Sequence, residues 1–184
     1  MCEARFLDPS QRLSLKDERA HYAHHQNDVD DPGYRAFLSK LFDPLNAKLT
    51  AGSYGLDFGC GPGPALADMF GKAGHTVDLY DPMFAPDMPA EGCKYDFISC
   101  SEVIEHVYDP YSLFAELADL LKPGGLLGVM TCFQTDDARF ANWHYRMDPT
   151  HVIFFRERTM REVALRFGWT CDIPRKDVAV FEVP

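Results

Sequence analysis

Apolar residues recur at two different periods along this chain, and the change of period divides it. In residues 32–42 Tyr34, Phe37, Leu38, Leu41 and Phe42 fall at helical intervals, which predicts a helix interrupted by Pro44, with a second piece running to Gly52. Ahead of it, residues 14–27 open on Ser14 as a predicted N-cap with Asp17 three positions on, yet carry few large apolar side chains. That pattern predicts a helix with little core to bury.

From Ser53 the chain alternates short β-branched or aromatic runs with helical ones. SYGLDFG, PALADMFGKAG and HTVDLYD read as strand, helix and strand; KYDFISCS, DPYSLFAELADLL and LLGVMTCF repeat the unit, with PGG stopping the helix. Asp109 and Pro110 sit at N-cap and N1, and Leu113, Phe114, Leu117, Leu120 and Leu121 give that helix one apolar face. The alternation predicts a mostly parallel sheet. Thr159-x-x-Glu162 reads as a capping box opening a helix that ends at Gly168. Two strands follow, WTCDI and DVAVFEV, too closely spaced to pair other than antiparallel.

Composition narrows the class. With 46% hydrophobic and 25% charged residues over 184, the chain fits a single globular domain without a long disordered tail. A formal charge of −10 opposes binding along a nucleic-acid backbone and favours a small partner. No run approaches the ~18 apolar residues of a membrane span, so a soluble, cytoplasmic protein is expected. The six cysteines form no C-x-x-C pair, so free thiols and no metal site are expected.

The chemistry starts at Asp57-x-Gly59-x-Gly61-x-Gly63. A dinucleotide turn needs G-x-G-x-x-G, and the third glycine is replaced by Pro64 in one register and by Leu66 in the other. What remains is a backbone that approaches a ligand closely, with a carboxylate two residues ahead of it. Such an acid repels phosphate but suits a ligand carrying a positive charge and an amino group, as S-adenosylmethionine does.

At this point the sequence resembles the class I S-adenosylmethionine-dependent methyltransferases, in particular the small-molecule and quinone-biosynthesis methylases. Four landmarks carry the resemblance in order: the glycine turn; Asp81, 22 residues after Gly59 at the end of a strand; Ser101-Glu-Val-Ile-Glu-His106; and Leu121-Lys-Pro-Gly-Gly125. The resemblance implies a Rossmann-like, doubly wound α/β fold ending in an antiparallel strand pair. It also implies an N-terminal helical lid over residues 1–52, with Tyr22, His25, Asn27 and Tyr34 as its candidates, on a cofactor-binding domain of residues 53–184. Only 14 residues separate Asp81 from Asp96, so the third strand and its helix are expected to be shortened or missing.

The resemblance further implies a site for S-adenosylmethionine, leaving as S-adenosylhomocysteine. Asp57, Gly59, Cys60, Gly61 and Gly63 would hold its methionine end. Asp81 would accept from both ribose hydroxyls, where the plainer reading is an Asp that forms a turn before Pro82. Pro82 and Met83, with Phe84, would meet the adenine. Ser101, Glu102, Val103 and His106 would flank adenine and methyl group, while Glu105 is expected to be no more than a charge complementing a helix start.

The acceptor is expected on the long connection 134–158, whose Asn142-Trp-His-Tyr-Arg-Met-Asp-Pro-Thr-His-Val152 follows the last parallel strand, near the edge where ligands bind. His106, His151, His144 and Tyr145 are the candidate catalytic residues. An imidazole near its free pKa of ~6.5 takes a proton from a hydroxyl as the methyl moves. Together these readings predict methyl transfer to an O, N or C nucleophile of a small molecule. The alternative is a catalytically silent cofactor-binding or assembly module on the same fold.

Overall fold

A computed structural model describes residues 2–22, 28–87, 90 and 92–184. After the short strand β1 (Arg5–Phe6) come α1 (Leu15–Tyr22), α2 (Pro32–Asn46), β2 (Tyr54–Phe58), α3 (Ala65–Lys72), β3 (Thr76–Tyr80) and β4 (Tyr95–Ser101). α4 (Pro110–Leu120), β5 (Leu121–Met130), β6 (Ile153–Phe154), α5 (Glu157–Phe167), β7 (Thr170–Arg175) and β8 (Val178–Glu182) complete the chain. Among the described residues no helix is long and apolar enough to cross a membrane.

The main sheet has the order β3-β2-β4-β5-β8-β7, with β3, β2, β4 and β5 parallel and β8 and β7 joined antiparallel. This is the expected doubly wound arrangement with a final antiparallel pair. The missing third strand is equally visible: β3 is the sheet's edge, and the connection to β4 carries only an isolated bridge between Asp81 and Ala85.

Strand alternation fills two cores. On β5 Leu126 and Met130 join Leu38, Leu41, Leu45 and Phe70 beneath α2 and α3. Leu127 and Val129 point the other way, into the layer of Leu113, Phe114, Leu117 and Met160 from α4 and α5. Gly55 on β2 leaves room for the fully buried Phe97 ring of β4, since a Cβ there would stand 2.2 Å from it.

Local expectations fail in three places. α2 runs through Pro44 to Asn46; a proline this near the end forfeits one helical hydrogen bond, and buried Leu41 and Leu45 hold the last turn in place. α5 begins at Glu157, so Thr159 is not its N-cap; the Thr159 hydroxyl accepts from the Arg156 N–H at 3.0 Å and donates to the Cys2 carbonyl at 2.8 Å. The strand pair β1–β6, unmarked by any sequence period, clips the N-terminal segment to the connection after β5.

The packing of Gly55 yields a stability test. Gly55→Ala should cost about 1–3 kcal/mol, because Phe97 is walled in by Phe70 at 4.7 Å and His75 at 5.8 Å. Gly71→Ala, on α3 with open space around it, should be neutral or stabilising by up to about 1 kcal/mol. Urea unfolding of both variants checks this, and equal losses would contradict it.

Candidate functional site

The chain leaves β2 and turns one way to β3 and the other way to β4, so a crevice opens at the carboxyl ends of these strands. Its floor is the glycine turn. Gly59 has φ 75° and Gly61 φ 62°, the left-handed region open to glycine at no steric cost. A Cβ on Gly59 would lie 2.2 Å from the Val103 side chain. The turn is stitched to the end of β3: Gly59 N–H donates to the Tyr80 carbonyl at 2.7 Å, and Gly61 N–H to Asp81 Oδ2 at 3.1 Å.

Asp81 both forms a turn and faces the crevice. Its Oδ1 accepts from Met83 N–H at 2.8 Å and Phe84 N–H at 3.1 Å. A carboxylate offers about four lone-pair sites, so three backbone donors leave about one for a ligand rather than the two expected from the sequence. Asp57, by contrast, is buried behind the turn and accepts from the Ser99 hydroxyl at 2.8 Å; burial pushes its carboxyl up to about 6, with that hydrogen bond opposing. Neither Asp57 nor Gly63 lines the crevice.

The crevice encloses about 690 Å³, the size of a small-molecule site. Toward the sheet edge Phe58, Tyr80, Pro82, Met83, Phe84, Val107 and Leu113 form an apolar wall beside Asp81. Gly59, Cys60, Gly61, Ser101, Glu102, Val103 and His106 line its middle, and His144, Tyr145, Asp148 and His151 enter from the connection after β5. Glu18 of α1 and Tyr34 and Phe37 of α2 border it as well. His25 and Asn27 lie outside the described residues.

One cluster locks the connection to the strand end. The Tyr145 hydroxyl lies 2.5 Å from Glu105 Oε1, 3.0 Å from the Thr131 hydroxyl and 3.1 Å from Glu102 Oε2. A phenol has one proton to donate and the two carboxylates compete for it, so ionising both is disfavoured. Burial pushes Glu102 up to about 8, with the Glu105 charge adding to it, and burial pushes Glu105 to about 7 against the Tyr145 hydrogen bond. Glu105 is therefore not the helix-end charge the sequence suggested: it is fully buried in a 3-10 turn, and its Oε2 has no hydrogen-bond partner among the described residues. Glu102 adopts φ 53°, a left-handed backbone unusual for a non-glycine residue, held by its N–H on the Met130 carbonyl at 2.8 Å.

Both inner histidines are oriented by backbone. His106 Nδ1 lies 3.1 Å from the Thr150 carbonyl and His151 Nδ1 lies 2.7 Å from the Tyr145 carbonyl. A carbonyl only accepts, so each Nδ1 carries hydrogen, which in a neutral His151 leaves Nε2 as the acceptor. Burial lowers the His151 pKa more than neighbouring Asp148 raises it, which keeps the ring neutral near pH 7. The rings of His106 and His151 stand 4.7 Å apart, and Tyr145 packs against His151 at 4.1 Å with the rings tilted by 49°. His144 borders the crevice beyond them, beside Trp143. His21 of α1 approaches Asp148 at 3.7 Å.

Glu105, His106 and His151 also bring one donor atom each to within 4.8 Å of one another. The expectation of no metal site rested on sequence spacing. Tertiary packing places His151 against the turn that carries the other two, through Val152 N–H on the Glu105 carbonyl at 2.8 Å, so spacing is no guide here. Glu18 and Phe37 were not signalled as site residues by any motif, and Asp148 was signalled only as part of the stretch from Asn142 to Val152.

The buried carboxyls set a pH dependence of stability. A folded-state pKa raised above the unfolded value means that the folded chain holds more protons, so stability falls as pH rises from about 4.5 through 7 to 8. Glu105→Gln keeps an acceptor for Tyr145 and removes the titration. Its melting temperature should gain on the parent as pH goes from 5 to 8, and a pH-independent difference would contradict the assignment.

Comparison with known proteins supports the same chemistry. A family model described as "Methyltransferase domain" matches residues 7–172. The ubiquinone biosynthesis O-methyltransferase of Cereibacter sphaeroides is 40% identical over 60 residues, 33% of this chain and only 24% of that protein. The enzyme of the same name from Coxiella burnetii is 24% identical over 177 residues, 80% of this chain and 74% of that protein. Among solved structures, the Burkholderia thailandensis 1,6-didemethyltoxoflavin-N1-methyltransferase, holding 1,6-didemethyltoxoflavin and S-adenosylhomocysteine, superposes with TM-score 0.66 at 16% identity, covering 98% of this chain and 94% of that one. That likeness establishes the fold.

Proposed function

The chain belongs to the methyltransferase-domain family, and from that premise we propose that it moves the methyl group of S-adenosylmethionine to a hydroxyl of a small molecule. The observation that carries this reading is one crevice bordered both by the glycine turn with Asp81 and by two imidazoles, His106 and His151, each oriented by a backbone carbonyl at Nδ1. The name shared by the curated relatives supports oxygen as the acceptor atom.

When bound, the cofactor supplies an activated methyl group on a sulfonium. The backbone of Gly59, Cys60 and Gly61 holds its amino-acid end, and Asp57 and Gly63 act from behind by shaping that turn. Asp81 accepts from the ribose, Pro82 and Met83 pack with Phe84 around the base, and Ser101, Glu102, Val103 and His106 border the methyl. His151 Nε2 would take the hydroxyl proton as the acceptor oxygen gains the methyl group that the bound cofactor would supply. His106 and His144 orient the acceptor, and Tyr145 holds His151 in place. α1 and α2, within residues 1–52, close the site through Glu18, Tyr34 and Phe37 and exclude water.

A second reading is favoured by the Oε2 of Glu105, without a hydrogen-bond partner among the described residues, beside His106 and His151. A divalent cation there would fix the acceptor hydroxyl and lower its pKa. Methyl transfer unchanged by a chelator excludes it.

Calorimetric titration should show S-adenosylmethionine and S-adenosylhomocysteine binding and NAD giving no heat; the reverse result sinks the proposal. Asp81→Ala should weaken cofactor binding by ~10-fold or more, the equivalent of one charge-assisted hydrogen bond. With labelled cofactor and a panel of small phenols, His151→Ala should slow turnover by about 10²–10⁴-fold with cofactor affinity nearly intact. Full activity in both His151→Ala and His106→Ala would leave proximity as the sole source of rate. Binding without transfer to any acceptor would favour the silent module.

A further inference from the structure

Three polar groups of one buried residue set the turn that carries His151. Thr150 is 2% exposed and stands behind the crevice lining. Its hydroxyl and its N–H both donate to Asp148 Oδ1, at 2.5 and 2.9 Å, and its carbonyl accepts from His106 Nδ1 at 3.1 Å. The same turn closes with His151 N–H on the Asp148 carbonyl at 3.3 Å, and Asp148 Oδ2 stands 4.0 Å from His151 Nε2. Asp148, His106 and His151, the groups tied together here, all line the crevice.

The local sequence Asp-Pro-Thr-His explains the geometry. Pro149 restricts the residue ahead of it to extended backbone, and Asp148 has φ −69° and ψ 121°. From there its carboxylate reaches the N–H two residues on, as turn-forming aspartates do. Thr150 is β-branched, so few side-chain rotamers are open to it and the direction of its hydroxyl is fixed. The hydroxyl therefore clamps a turn that its N–H alone would hold more loosely.

Resting on the metal-free methyltransferase reading above, we infer that Thr150 is a positioning residue of the transfer step. Its hydroxyl anchors the turn from Asp148 to His151; the anchored turn holds the His106 ring through the Thr150 carbonyl and His151 through its own backbone. Both imidazoles then meet the acceptor in one fixed orientation. Because Thr150 acts through these groups from behind the lining, its loss should be felt in turnover and not in cofactor affinity.

Thr150→Val keeps the shape and removes only the hydroxyl, whereas Thr150→Ser keeps the hydroxyl. With labelled cofactor and the phenol that the parent methylates fastest, Thr150→Val should lower kcat by about 10–100-fold, the scale of a small misplacement, with the KM for S-adenosylmethionine nearly unchanged. Thr150→Ser should recover most of the rate. A second readout needs no acceptor: long-range proton–nitrogen NMR spectra of the histidine rings, with a chelator present, above the free imidazole pKa of ~6.5. The parent should show His106 and His151 protonated at Nδ1. In Thr150→Val the His106 ring should move toward a mixture of both tautomers, and in Thr150→Ser it should keep the parent pattern. Asp148→Ala removes the same anchor from the other side, should reproduce the Thr150→Val spectrum, and carries the test if Thr150→Val fails to fold. Parent-like turnover or a parent-like His106 ring without the anchor overturns the proposal, and so does an equal loss of rate in Thr150→Ser. A parent that binds cofactor yet methylates no phenol marks failure of the transfer reading instead, and the ring spectra then decide the positioning by themselves.

Discussion

One phenolic hydroxyl holds the site together. Tyr145 reaches the carboxyls of half-buried Glu102 and buried Glu105 and the Thr131 hydroxyl, joining the connection after β5 to the end of β4. Its own carbonyl fixes His151 through Nδ1, and its ring packs on that imidazole at 4.1 Å. The backbone repeats the link, with Val152 N–H on the Glu105 carbonyl and the Thr150 carbonyl facing His106. In a dry setting these bonds are strong and an unmet partner is expensive. Residues far apart in the chain therefore keep one relative position.

The opposite border of the crevice depends on backbone rather than side chains. The end of β3 receives the N–H groups of Gly59 and Cys60, and Asp81 receives those of Gly61, Met83 and Phe84. Turn-forming and ligand-facing roles, which look like rivals in the sequence, belong to the same carboxylate. The shortened connection after Asp81 leaves β3 as the sheet edge and leaves Met83 and Phe84, 38% and 42% exposed, as the apolar rim.

The N-terminal segment adds a third border. β1 pairs with β6, Leu7 N–H reaches the Val152 carbonyl at 2.8 Å, and Glu3 meets Arg156 and Arg158. These ties begin within the first seven residues and set where α1 starts. From there Glu18 reaches the crevice and His21 reaches Asp148. The lid-like segment is thus anchored to the same connection that carries His144 and His151.

The sequence by itself determined the alternation from β2 to β5, the glycine turn, Asp81 at a strand end and the missing third strand, because strand and helix periods, turn chemistry and spacing are local. It also determined that the histidines of the connection lie near the strand ends, since a parallel sheet sends every such connection there. Only the tertiary structure decided that Asp57 sits behind the turn, that Glu105 is buried against a tyrosine 40 residues on, that Pro44 lies within α2, and that Glu18, Tyr34 and Phe37 border the site. Burial of a charge and closure of a long loop depend on which surfaces meet, and no short-range period records which surfaces those are.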